Sequence, residues 1–182
     1  MRPRSSTAAC AALSLGLGVG AAHAQTRTPA PRGPTVELWY RHTSLPEPGG
    51  DGGTHAAGVG LFPLHGVRVL RWVRLGVGGE FALRAGANGH SDGLVQTVAS
   101  AGLQFPSKLM VPFVVAVASG GFAVEQRFQR TFAQFVYTLG GEVGTEVRLG
   151  PLGLGIAFGY GRTVEGAVYQ NATWLRVIVP VF

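Results

Sequence analysis

Among the side chains able to do chemistry, the best-spaced pair is His42 and Ser44, with Thr43 between them. Two residues apart on a strand, both leave the same face, shared with Leu38 and Tyr40. An imidazole beside a hydroxyl is the base-and-nucleophile pairing of hydrolases. A second run, His90-Ser91-Asp92, has the residue types of a catalytic triad. Consecutive residues cannot form one among themselves, and flanking Gly89 and Gly93 make this run a turn. His42, His55, His65 and His90 show no metal-ligand spacing, so no metal and no cofactor is expected. The glycine pairs precede no helix, which removes phosphate-loop readings.

The elements that must position these groups follow from composition. The chain has 182 residues, 46% of them hydrophobic and 13% charged, with 29 glycines, and a positive mean hydropathy. Soluble domains carry about 25% charged residues. Yet the longest apolar run after the first few dozen residues, Val111–Val124, is broken by Pro112, Ser119, Gly120 and Gly121, and falls short of the roughly 20 residues of a membrane helix. Arg2 and Arg4, the apolar stretch Ala8–Ala22 and the small-residue site Ala22-His23-Ala24 give residues 1–24 the pattern of a secretory signal peptide, cut near Ala24. It contains the only cysteine, Cys10, so thiolate and disulfide chemistry are excluded from the mature chain. The net charge of +6 is an arginine effect, since Lys108 is the only lysine. With no basic tract or nucleic-acid motif, no nucleic-acid partner is expected.

Residues 25–34, rich in Pro, Thr and Arg, read as a disordered leader. From residue 35 to 182 apolar residues recur at alternate positions in eight segments, the mark of β-strands. Val36, Leu38 and Tyr40 alternate with Glu37, Trp39 and Arg41; Leu152, Leu154, Ile156, Phe158 and Tyr160 alternate with glycine and alanine. Val111, Phe113, Val115 and Val117 form the apolar set of the fifth segment, and Leu175, Val177, Val179 and Val181 that of the last. The longer links are expected at Pro46–Gly53, Gly86–Gly93, Val124–Arg130 and Val164–Ala172, the others at Pro63–Arg71, Pro106–Leu109 and Gly150–Pro151.

Alternation fits two barrels, a soluble lipocalin-like one with its apolar face inside and a membrane one with that face outside. Composition separates them. The second face is mostly Gly, Ala and Ser, which suits a crowded lumen, and it carries Glu37, Glu80, Glu142 and Glu146 against Arg41, Arg74, Arg84 and Arg176. Buried charges persist only when paired, so this balanced set is expected to form a lumen charge network. An interior filled by eight strands' side chains leaves no wide pore.

With these features the chain resembles the small eight-stranded outer-membrane barrels of the OmpA/OmpX type. The likeness rests on the signal peptide, the alternating strands over residues 35–182, links of alternating length and the C-terminal aromatic Phe182. It implies an all-β, up-and-down transmembrane barrel, monomeric, with both termini in the periplasm and Phe182 read by the barrel-assembly machinery. Trp39, Tyr40, Phe62, Phe105, Phe128, Tyr160, Trp174 and Phe182 would then furnish interfacial girdles. Arg127, Arg130 and Arg162 would lie near the outer rim, placed to meet lipopolysaccharide phosphates. One departure is Arg176, which breaks the apolar step leading to Phe182; either a bulge near Pro180 shifts the register or Phe182 turns at the rim. The His42/Ser44 pair also resembles that of outer-membrane lipid A deacylases, which add a carboxylate from a neighbouring strand. Here the nearest acid by topology is Glu165.

Overall fold

The computed structural model describes residues 34–44, 53–67, 72–86, 91–105, 107, 109–127, 130–149 and 152–180. The expected signal peptide, the expected leader up to residue 33, His90, Phe128, Val181 and Phe182 lie outside them. Eight strands run in chain order: β1 (Thr35–Ser44), β2 (Thr54–Val67), β3 (Val73–Gly86), β4 (Ser91–Gln104), β5 (Met110–Arg127), β6 (Arg130–Leu149), β7 (Leu152–Glu165) and β8 (Val168–Pro180). Each pairs antiparallel with the next, and β8 returns to β1 to close an up-and-down barrel. Closure leaves no open sheet edge along the wall.

The distribution of side chains is the inverse of a soluble barrel. Leu38, Val59, Phe81, Val95, Leu139, Val143, Ile156 and Phe158 are all exposed on the outside, whereas Glu37, Arg41, Arg74, Glu80, Glu142, Glu146 and Arg176 are buried inside. Such a surface is stable only where the outside meets hydrocarbon and every backbone polar group is paired within the wall. Glycine makes the lumen wide enough for its larger occupants. At Gly159 an added Cβ would stand 2.0 Å from the Trp174 indole, so the ring occupies the space a side chain would take.

Several expectations are corrected by the register. The odd residues of β5, Val111, Phe113, Val115 and Val117, point inward and are buried, while Val114 and Phe122 face out. Both faces of β5 are apolar, so alternation cannot choose between them; pairing with β6 does, placing Val111 opposite Glu146 and Val115 opposite Glu142 on one face. Trp39, Phe62 and Trp174 are likewise buried in the lumen rather than set in a girdle, whereas Tyr40, Phe105 and Tyr160 are exposed on the outside. Four of the links are shorter than expected because strands continue into them, among them Gly86–Gly93, where β4 already begins at Ser91. β2 runs through Pro63, its ladder with β3 shifting between Leu61 and Leu64, since proline cannot donate to a regular ladder. β5 and β6 pair out to Arg127 and Arg130. β7 and β8 pair out to Glu165 and Val168, leaving a two-residue turn in which Gly166 takes φ +59°, the left-handed conformation such hairpins demand. In β8 the ladders to β1 and β7 show no shift up to Pro180 and Ile178. No bulge therefore rescues the even register, and Arg176 points inward with Trp174 and Ile178.

The outward face gives a direct test. Phe158, 54% exposed near the middle of β7, replaced by arginine should cost about 2–4 kcal/mol in a bilayer. Urea unfolding from lipid vesicles would read this loss; an unchanged midpoint would mean that Phe158 does not face hydrocarbon.

Candidate functional site

The charged lumen centres on Arg176 of β8. Its guanidinium donates to Glu37 Oε2 at 2.8 Å and to Glu80, and its Nε lies 2.9 Å from Glu142 Oε2. The register explains the convergence. Glu37 pairs with Gly60, Gly60 with Glu80 and Glu80 with Gln96, so one row across four strands carries two carboxylates, a carboxamide and, between the acids, a residue with no side chain. Gln96 donates through Nε2 to Glu80 and accepts from Ser119 Oγ at 3.3 Å. Trp174 donates its indole N–H to Glu142 Oε2 at 2.9 Å. A buried carboxylate needs this many donors, because the lumen offers it little water.

The remaining charges stand around this hub, Arg74 lining one gap together with Glu37, Glu142 and Arg176. Arg74 pairs with Glu146 at 2.5 Å, its guanidinium 4.0 Å from the centre of the Phe113 ring. Arg41 holds no carboxylate among the described residues. It donates to Thr138 Oγ1 at 3.3 Å and stacks on Trp39 at 4.9 Å and Trp174 at 6.0 Å, an arrangement in which ring quadrupoles partly replace a counter-ion. Arg84 stands at the end of the barrel opposite the chain termini, gripped by Asp92 at 2.5–2.6 Å and by both oxygens of Glu165 at 2.9 Å. Among the eight residues expected in one balanced network, Arg176 is the hub, Arg74 holds Glu146, Arg41 is stacked on aromatic rings and Arg84 belongs to a cluster at the mouth. Asp92 and Glu165 joined that cluster unforeseen. Asp92, expected in a turn, is the second residue of β4 and pairs with Arg84 in register. The lumen partners Trp39 and Trp174 share strand parity with Arg41 and Arg176, and that parity was the usable signal.

The lumen gaps lined by described residues are small. A gap lined by Glu37, Arg74, Glu142 and Arg176 measures about 20 Å³, and another near Arg41 and Arg84 about 10 Å³, each on the scale of a water molecule. His42 and Ser44 are half-buried at the outward-facing positions of β1. Glu165 does not complete a triad with them. It is committed to Arg84 across the lumen mouth, on the other face of the wall. Arg162 is exposed on the outside of β7. Arg127 and Arg130 pair at the tip of the β5–β6 hairpin.

Replacing Arg176 with methionine leaves three buried carboxylates facing one another and should cost about 3–5 kcal/mol. The same change at Arg84 should cost less, because its partners Asp92 and Glu165 are each 18% exposed at the lumen mouth and keep some access to water. Equilibrium refolding in detergent ranks the two, and equal losses would contradict the hub.

No protein-family model matches the chain, and no curated protein matches it by sequence. Solved structures do. Neisserial surface protein A shares the fold with TM-score 0.55 and 14% identity, over 81% of this chain and 97% of that one. The N-terminal β-barrel domain of Pseudomonas aeruginosa OprF aligns with TM-score 0.44 and 10% identity, covering 81% and 97%. Ail, the attachment invasion locus protein of Yersinia pestis, aligns with TM-score 0.43 and 15% identity, covering 83% and 99%. At such identities the likeness to Neisserial surface protein A establishes a shared architecture: the chain folds as a small, closed, eight-stranded antiparallel barrel of the kind found in outer-membrane proteins.

Proposed function

We propose that this chain is an integral outer-membrane barrel of a Gram-negative bacterium, exported with cleavage near Ala24 and acting as a monomeric structural or surface-interaction protein. The observation that carries this reading is the inverted wall, with apolar side chains outside and a paired, hydrogen-bonded charge set inside. The name of Neisserial surface protein A, a barrel of the same architecture, fits a role exercised at the cell surface. Phe182 is assigned to recognition by the barrel-assembly machinery. Arg127, Arg130 and Arg162, all toward the end opposite the termini, are assigned to lipopolysaccharide phosphates, where arginine can bind in bidentate fashion.

Neither transport nor hydrolysis has comparable support. The described lumen gaps are water-sized, and Glu165 is engaged away from His42 and Ser44.

Two measurements test the proposal. In outer-membrane fractions the protein should migrate faster unboiled than boiled, the behaviour of a barrel that resists detergent. Recovery in the soluble periplasm without such a shift would overturn the membrane assignment in favour of a lipocalin-like barrel. Mass spectrometry of lipid A should show the same acyl pattern with and without the gene. A missing acyl chain that returns with wild type but not with Ser44→Ala would make the protein a lipid A hydrolase instead.

A further inference from the structure

Register brings together two histidines that are far apart in sequence. His42 of β1 and His55 of β2 are direct cross-strand partners, on the outward face toward the end of the barrel opposite the termini. Their rings lie 4.6 Å apart between centroids, tilted by 33°. Tyr40, two residues earlier on the same face, places its hydroxyl 2.6 Å from Nδ1 of His55. Nδ1 of His42 is buried and has no hydrogen-bond partner. A polar nitrogen in that state is costly unless something occupies it. Gly53 packs closely on the same ring, where a Cβ would come 3.0 Å from His42 Cε1, so the glycine lets the imidazole sit against the β2 end of the hairpin.

We propose that His42 and His55 form a binding site for a late first-row divalent metal ion, with Cu²⁺ held most tightly. Imidazole nitrogen is a good ligand for Cu²⁺, Ni²⁺ and Zn²⁺, and affinity within that series peaks at copper. Metal–nitrogen bonds near 2.0–2.1 Å put two adjacent ligands roughly 3 Å apart, a separation that neighbouring rings reach by small side-chain rotations. The Tyr40 contact supplies the outer support such sites use. A ligating histidine donates its second ring N–H to an oxygen, which fixes tautomer and orientation. In the metal-bound tautomer Nδ1–H of His55 donates to the Tyr40 oxygen, freeing the Nε2 lone pair for the ion. Among the described residues no group of three or more His, Cys, Asp and Glu is placed to hold a metal. The site is therefore a two-nitrogen site, with water in its remaining positions, open to exchange rather than a closed structural centre.

The test uses the untagged protein purified from outer membranes in detergent, titrated with Cu²⁺ alone. One ion per barrel is expected, with an electron paramagnetic resonance spectrum showing two imidazole nitrogens. His42→Gln and His55→Gln should each remove one of those nitrogens and weaken binding more than Tyr40→Phe, for which about a tenfold loss is expected. His65→Gln and His90→Gln should leave both stoichiometry and spectrum unchanged. Faster migration of unboiled samples verifies that each variant is folded, and the two histidine variants provide independent arms should one fail. No binding above the detergent blank, wild-type affinity in both His42→Gln and His55→Gln, or loss of the signal on changing His65 or His90 would overturn the site.

Discussion

The structure depends on how one buried guanidinium is satisfied. Eight strands close around an interior barely wider than the side chains it holds, so charges placed there cannot be rescued by bulk water. Arg176 resolves this by taking Glu37, Glu80 and Glu142 together. Three carboxylates from three other strands meet a donor fork that presents five N–H groups. The hub crosses the lumen instead of running along one ladder, and so it ties β1, β3 and β6 to β8. Its surplus negative charge is met by neutral donors, with Gln96 serving Glu80 and Trp174 serving Glu142. A buried ion pair is weak evidence of stability in itself. Here its consequence is specificity: a slip of one residue in β8 would turn Arg176 out toward lipid.

The glycines and aromatic rings of the lumen follow from the same constraint. Among the described residues two tryptophans and two phenylalanines occupy it with the arginines, and Trp174, Phe62 and Phe113 each lie against a glycine where a Cβ would not fit. Gly159 serves Trp174, and Gly78 serves Phe62, where a Cβ would stand 2.5 Å from the ring. Those rings then face guanidinium groups: Phe113 for Arg74, Phe62 for Arg176, and Trp39 with Trp174 for Arg41. High glycine content and inward aromatics are therefore two sides of one packing solution, in which a large flat side chain fills space and contributes its quadrupole.

Period-two alternation made the strands, their number and the inverted wall legible, because parity along a strand is a local property. Glu37, Trp39 and Arg41 share a parity, and they share the lumen. Legibility failed where both parities look alike. β5 has valines and alanines on both faces, and only its neighbours' charges decide which set turns inward. Link lengths were misjudged for a related reason. Val124–Arg130 and Val164–Ala172 contain polar residues, but polarity at the mouth of a barrel does not end a ladder; hydrogen bonding continues to Arg127 and Glu165.

Clusters between strands were the least legible, since they are set by register rather than spacing. The sequence separation of His42 and His55 resembles no ligand motif, yet hairpin pairing makes them nearest neighbours on one face. The same holds for Arg84 and Asp92, paired across β3 and β4, and for Glu165, which reaches Arg84 across the mouth. Motif spacing suits helices and tight loops, in which ligands lie a few residues apart. In an up-and-down barrel the relevant distance is the sum of two arms of a hairpin plus its turn, and that sum shifts with every change in turn length. A functional constellation on this fold can therefore keep its geometry while its spacing drifts, so cross-strand register is the better guide to chemistry on a barrel wall.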